Sequence, residues 1–214
     1  MPNKPIKQGY KIYGIADHRY IYNFIWSSRE KGYQDILLRL NLIKTGCLVR
    51  TLALSLPRQR LAIYMDNYFT SVPLFTELRA CNFGAVSTTR PHKDFPEELI
   101  KIKASYVIKL EWNTLLITVV QDILCLAWQD NNIVLALSNI YIVDKTEDLR
   151  EKVRKRPVKT STNGRIIRRV FRDNYIKELQ IPCFIDDYNH YMGGVDLANQ
   201  FKEAYETHRP TLRN

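Results

Sequence analysis

Three aspartates stand out for where they fall in the chain rather than for their number. Asp17 closes one apolar β-rich run, Asp66 closes another, and Asp196 follows the step Gly193-Gly194-Val195. A carboxylate at the C-terminal end of a buried strand is held by a rigid element, at the rim where open α/β sheets place ligands and catalytic groups. Three such carboxylates offer hard oxygen ligands suited to Mg2+ or Mn2+, and pairs of such ions serve phosphoryl transfer on nucleic acids. Each aspartate also has an ordinary reading. Asp17-His18-Arg19 and Asp66-Asn67 are turn sequences, and Asp196 can compensate the dipole of a helix that starts late, at the glycines. With 22 acidic residues in the chain, the elements that position these three must decide between the readings.

Leu61 to Met65 is long enough for a core strand, and Ser71 followed by Pro73 predicts a helix start just beyond it, so Asp66 lies between a strand and a helix. Tyr10 to Ala16 and Tyr20 to Trp26 are two β-rich runs about Asp17-His18-Arg19, which predicts a hairpin with Asp17 ending its first strand. Between them and Asp66, Leu48, Val49, Leu52, Ala53 and Leu56 recur at helical spacing, with Thr45 placed to cap and Pro57 to stop the helix. The helix opened by Ser71 carries Leu74, Phe75 and Leu78 to about Cys81, and Phe83 to Thr88 fits a short strand. Residues 27–40 give only a loop with a short element. The first ninety residues thus read strand, strand, helix, strand, helix, strand, a mixed α/β layer.

Beyond Arg90-Pro91 the texture changes. Tyr106 to Leu110, Leu115 to Val120, Ile123 to Trp128 and Ile133 to Leu137 are short β-rich segments, with turn chemistry in Gln129-Asp130-Asn131-Asn132. A second hydrophobic β-unit therefore appears inserted, ending near Ile142. A basic run follows: Arg150, Lys152, Arg154, Lys155, Arg156, Lys159, Arg165, Arg168, Arg169 and Arg172, opposed within those limits by Glu151 alone and loosened by Thr160 to Gly164. Such a run is ordinarily a solvated loop or an import signal; its density also suits contact with phosphates. The last stretch, from Ile181 to Asn189, leads into a helix carrying Met192, Val195, Ala198, Phe201 and Tyr205, on which Asp196, Asn199 and Gln200 share one face. Gly193 and Gly194 each cost a helix roughly 1 kcal/mol relative to Ala, which predicts a close neighbour for the backbone there.

Length allows one large core, or a core with an inserted subdomain. Hydrophobic content of 45% marks a globular chain. The apolar runs are shorter than a membrane span and the first residues lack a signal-peptide core, which predicts a soluble, intracellular protein with no membrane partner. Cys47, Cys81, Cys125 and Cys183 are scattered, without zinc spacing or disulfide density, and are expected to be reduced and mostly buried. The balance of 32 Lys+Arg against 22 Asp+Glu, a formal +10, favours a polyanionic partner.

Taken together, the motifs resemble the catalytic domain of the piggyBac family of DNA transposases. The matching pieces are Lys4-Pro5-x-Lys7-x-Gly9-x-Lys11 through to Asp17; Asp66-Asn67-Tyr68-Phe69-Thr70-Ser71; and Tyr188-Asn189 with Gly193-Gly194-Val195-Asp196. They occur in the family's order, and Arg209 to Arg213 resembles the basic segment that follows the third acid there. The resemblance implies an α/β, ribonuclease-H-like mixed sheet flanked by helices and interrupted by a β-rich insertion. On that plan residues 1–90 are the first part of the catalytic core, 91–182 the insertion and its basic exit, and 183–214 the third-acid helix returning to the core.

It further implies a nuclear enzyme that cleaves and joins DNA strands at TTAA targets. Asp17, Asp66 and Asp196 would be catalytic residues and ligands of two Mg2+ or Mn2+ ions, and water or a 3′-hydroxyl would attack a phosphodiester. Its partner would be double-stranded DNA carrying terminal inverted repeats, with a homodimer expected of the full-length protein. Arg154, Lys155, Arg156, Lys159, Arg165, Arg168, Arg169, Arg209 and Arg213 would grip backbone phosphates, which positions DNA without reading its sequence. Where many relatives have a further Asp, this chain has Asn199, which can coordinate through its carbonyl oxygen but brings no charge. Relatives also extend beyond both ends of the sequence. The rival expectation is accordingly a domesticated or degenerate fragment that binds DNA without cutting it.

Overall fold

The structure is a computed structural model that describes residues 11–18, 20–27, 36–57, 60–105, 110–141, 149–158 and 165–204. Its centre is a five-stranded mixed sheet. β3 (Ala62–Met65) lies parallel to β4 (Gly84–Thr89), and β7 (Ile133–Ser138), β6 (Ile123–Gln129) and β5 (Leu115–Val120) continue it antiparallel in the order β3-β4-β7-β6-β5. β1 (Lys11–Asp17) and β2 (Tyr20–Ser27) form a separate antiparallel hairpin with a bulge between Ile15 and Ala16. β8 (Leu149–Lys155) and β9 (Ile176–Pro182) form another two-stranded ladder.

Six helices complete the described chain: α1 (Lys44–Leu54), α2 (Val72–Ala80), α3 (Glu97–Ala104), α4 (Arg165–Phe171), α5 (Cys183–Tyr191) and α6 (Gly194–Ala204). Among the described residues no helix is long and apolar enough to cross a membrane.

Strand β6 shows why the sheet is covered on both faces. All seven of its residues are buried, as its unbroken apolar run requires. Ile123, Cys125 and Ala127 pack into a core with α1, α2, Phe95 and Leu99, while Leu124, Leu126 and Trp128 face Ile181, Phe184 and Ile185. Tyr13 and Ile25 of the hairpin join the first core, so β1–β2 rests on the same hydrophobic mass without extending the main sheet's ladder. The strands of residues 115–138 hydrogen-bond directly to β4. The change of texture at Arg90-Pro91 therefore does not coincide with a change of sheet.

Local signals explain most element boundaries. Ser71 caps α2, its Oγ accepting the Leu74 N–H at 3.4 Å, with Pro73 in the first turn. The other end of α2 closes with Asn82 at φ 62, the Asn82 and Phe83 N–H groups donating to Arg79 and Leu78 carbonyls at 2.9 Å each, the pattern of a left-handed helix stop. Gly84 opens β4 because a Cβ there would stand 2.6 Å from Ile140 Cγ2 and 3.3 Å from Ala62 Cα. Gln121 and Asp122, at φ 50 and 62, make the tight β5–β6 turn.

Thr45 does not cap α1. The helix starts at Lys44 after Ile43, without a side-chain cap, and Thr45 Oγ1 is buried inside the first turn with no partner among the described residues. Leu42, buried and in contact with Gly46, draws the chain into the helix earlier than a Thr45 cap allows.

Five elements were not legible in the sequence: α3, β8, α4, β9 and α5. The strand expected over Tyr106 to Leu110 falls mostly outside the described residues, as does the Thr160 to Gly164 segment. Of the cysteines, all free, Cys47 and Cys125 are buried and Cys81 and Cys183 half-buried; burial pushes the Cys125 thiol up to about 12.

Candidate catalytic site

Asp17 ends β1, Asp66 follows the last residue of β3, and Asp196 lies in the first turn of α6. All three are exposed. The elements that carry Asp17 and Asp196 meet at a glycine: a Cβ on Gly194 would stand 3.2 Å from the Ala16 carbonyl oxygen and 3.6 Å from Ala16 Cβ. The first turn of α6 therefore lies on the last residue of β1 before Asp17. A Cβ on Gly193, by contrast, would meet nothing within 4 Å. Both readings of the glycine pair hold at once. The helix begins late, with Asp196 in its first turn, and it does so against a neighbouring strand.

Asp66 is tied to the same rim through aromatic rings on α5. The Tyr191 ring lies 4.9 Å from that of Tyr64, two residues before Asp66, and 6.0 Å from that of His18, next to Asp17. His190 adds a further ring contact to His18, at 5.9 Å. His18 Nε2 stands 3.7 Å from Asp17 Oδ1, and Tyr13 of β1 meets Phe69 edge-on at 5.9 Å. The turn after Asp66 is fixed internally. Asp66 Oδ1 accepts the Asn67 N–H at 2.6 Å, and Thr70 Oγ1 bonds to the Asp66 carbonyl, to Ser87 Oγ and to the Thr88 carbonyl at 3.2, 2.5 and 3.0 Å. Tyr188 of α5 shares a 3.2 Å hydrogen bond with Thr88 Oγ1, and burial, with the negative charge of Asp66 adding to it, raises its pKa.

Glycine and ring contacts thus link the element ends that carry the three aspartates, whose oxygen donors have the chemistry a hard cation needs. They do not form a ready coordination shell. Among the described residues no three His, Cys, Asp or Glu side chains stand close enough to hold a metal ion. The rings of Tyr64, Tyr191 and His18 lie between the ends of β3 and β1, and β1 does not join β3 in the main sheet. Asn199 is exposed on α6, on the face that carries Asp196 and Gln200.

The basic run is more structured than its composition suggests. Arg150, Lys152 and Arg154 alternate along β8 and so share a face, and each is engaged by an acid. Arg150 Nη1 donates to Asp186 and Asp187 at 2.9 and 2.7 Å, and Lys152 Nζ lies 2.5 Å from Asp186 Oδ1. Arg154 grips Asp130 with two hydrogen bonds, of 2.8 and 3.1 Å. Lys152 first, and Arg150 with it, hold the buried Asp186 carboxyl below the usual carboxylate range against the opposing effect of burial.

Asp187 continues the chain of contacts. It accepts from the Tyr141 hydroxyl, which bonds in turn to Tyr64. Of the other expected phosphate contacts, Lys155 and Arg169 are exposed, Arg156 is half-buried with its Nε unpartnered among the described residues, and Arg168 donates to the Pro157 carbonyl. Arg165 opens α4, with its side chain outside the described part of the structure, and Lys159, Arg209 and Arg213 lie outside the described residues. The roles of Tyr141, Asp186, Asp187 and Tyr191 were missed; Phe184, Ile185 and Tyr188, at helical spacing, were the available signal for α5.

The fold is similar to that of the piggyBac transposase in a cryo-EM structure of its synaptic complex with hairpin DNA. The TM-score is 0.66 and the sequence identity 23%, over 100% of this chain. The chain spans 38% of the length of that transposase. The expected ribonuclease-H-like α/β architecture, a mixed sheet flanked by helices, is therefore the one observed. Along its whole length, residues 1–214, the sequence matches the family described as Transposase IS4, and the chain belongs to that family.

Proposed function

We propose that this chain is the catalytic part of a piggyBac-type DNA transposase, cleaving and transferring DNA strands at TTAA sites in a reaction that depends on Asp17, Asp66 and Asp196. The observation that supports the reading is the seating of Gly194 on Ala16, by which the first turn of α6, which carries Asp196, meets the end of β1, which carries Asp17. Membership of the family and the formal charge of +10 support DNA as the substrate. Transposases of this family generally use divalent metal ions, and the donor set suits Mg2+ or Mn2+. The role of each acid is defined by its removal. Incubation of the protein with Mg2+ and a TTAA-containing duplex is expected to nick the duplex, and a chelator to stop it; nicking that continues in chelator would contradict the metal requirement.

One observation favours a second reading. Asn199 stands where many relatives carry a further Asp and brings no charge, as expected of a fragment that binds DNA without cutting it. Calorimetric titration with Mn2+ distinguishes the two: binding that disappears in Asp17→Asn and Asp66→Asn supports the enzyme, and no heat at all supports the fragment.

A further inference from the structure

Helix α5 holds one residue of β3 in two ways. Tyr64, two residues before Asp66, lays its ring 4.9 Å from that of Tyr191, and its hydroxyl is hydrogen-bonded to Tyr141, just past the end of β7. The Tyr141 hydroxyl donates its one proton to Asp187 Oδ2, so in the bond between the two phenols the Tyr64 hydroxyl is the donor. Arg150 Nη1 holds the other Asp187 oxygen at 2.7 Å. Burial raises the pKa of both phenols, Asp187 adding to the effect at Tyr141, so both donors keep their protons throughout the neutral range. Asp187 and Tyr191 stand four residues apart on α5 and therefore share one of its faces. That face grips the Tyr64 hydroxyl through Tyr141 and the Tyr64 ring through Tyr191. Tyr191 also meets the His18 ring at 6.0 Å, next to Asp17.

Stability alone does not call for this chain, because apolar groups of the same shape can replace a hydrogen-bonded pair at little cost. What directed hydrogen bonds add is a single fixed arrangement of the groups they join. We propose that Tyr141 and Asp187 are positioning residues for the acids: through Tyr64 and Tyr191 they fix the end of β3, which carries Asp66, against the end of β1, which carries Asp17. In this role neither side chain touches DNA. The inference rests on the reading of the aspartates as the acids of strand cleavage and names what holds two of them.

The test is steady-state nicking of a TTAA-containing duplex, with duplex affinity, melting temperature and the NMR cross-relaxation between the Tyr191 and Tyr64 rings recorded on the same proteins. Tyr141→Phe keeps the ring beside Phe184 and removes the link. It is expected to lower kcat about tenfold or more with KM and duplex affinity unchanged, and to weaken the cross-relaxation between the two rings. Asp187→Ala should do the same. Asp187→Asn, which keeps an acceptor oxygen for the Tyr141 proton, should retain most of the rate. A lower melting temperature with kcat unchanged, at a temperature where the variant is folded, would reduce the link to a structural one and overturn the proposal. Asp187→Asn as slow as Asp187→Ala, or ring cross-relaxation unchanged in Tyr141→Phe, would also overturn it while leaving the transposase reading in place. A wild-type protein that nicks no duplex would overturn that reading, and the positioning role with it.

Discussion

Gly194 lies tightly against Ala16, a Cβ there falling 3.2 Å from the Ala16 carbonyl oxygen, so that any side chain would require the neighbour to give way. Gly194→Val should therefore lift α6 off β1, destabilise the fold by about 1–3 kcal/mol through overpacking and separate Asp196 from Asp17. Gly193→Ala, in open space, should be neutral or slightly stabilising. Thermal unfolding and DNA cleavage of the two variants check this. Equal behaviour of the pair would show that the Gly194 contact positions nothing.

Asp186 should make the fold acid-sensitive. Its carboxyl is more acidic folded than unfolded, Lys152 being the main cause. The stabilisation is therefore complete above the unfolded value of about 3.9 and is lost as pH falls through that value toward the folded one. Asp186→Asn should lower stability by about 1–2 kcal/mol at neutral pH, less than for a fully buried pair because Arg150 and Lys152 are half exposed. It should also flatten the acid limb of the stability profile. Urea unfolding of both proteins across that range measures it, and parallel profiles would contradict the assignment.

Arg154 should behave as a structural residue. Its two hydrogen bonds to Asp130 join β8 to the β6–β7 turn, where Asp130 also accepts from the Trp112 indole at 3.2 Å. Arg154→Gln should cost about 1–2 kcal/mol of stability and leave the salt slope of DNA binding unchanged. For the exposed Lys155 and Arg169 the expectation is the reverse, near-neutral stability with a shallower slope. Urea unfolding together with salt-dependent binding separates the two patterns.

Ser71 should be worth a helix cap. Its 3.4 Å acceptance from Leu74 is long, so Ser71→Ala should cost about 0.5–1 kcal/mol, or about 1–4 °C in Tm. An unchanged melting temperature would show that Pro73 and packing alone hold the start of α2.

What the sequence made legible and what it did not divide along physical lines. Ser71-x-Pro73 and the apolar run of β6 are local signals that tertiary contacts did not override. Strand β8 was hidden because its charged residues read as solvated, whereas their partners Asp130, Asp186 and Asp187 are distant in sequence. Helix α5 was hidden because Asp186, Asp187 and Asn189 look like turn residues until Arg150 and Lys152 are placed beside two of them. The positions of Asp17, Asp66 and Asp196 at element ends were readable. The contacts that link those ends were not, since Tyr191 packs against both Tyr64 and His18, a contact that no local pattern encodes.

The central claim is that the three aspartates act together on DNA. Its most direct measurement is the rate of nicking of a TTAA-containing duplex by wild type and by Asp17→Asn, Asp66→Asn and Asp196→Asn separately, with duplex affinity recorded in parallel. The account predicts that each substitution lowers the rate by about a hundredfold or more with affinity retained. Any one of the three variants cutting at the wild-type rate would contradict it.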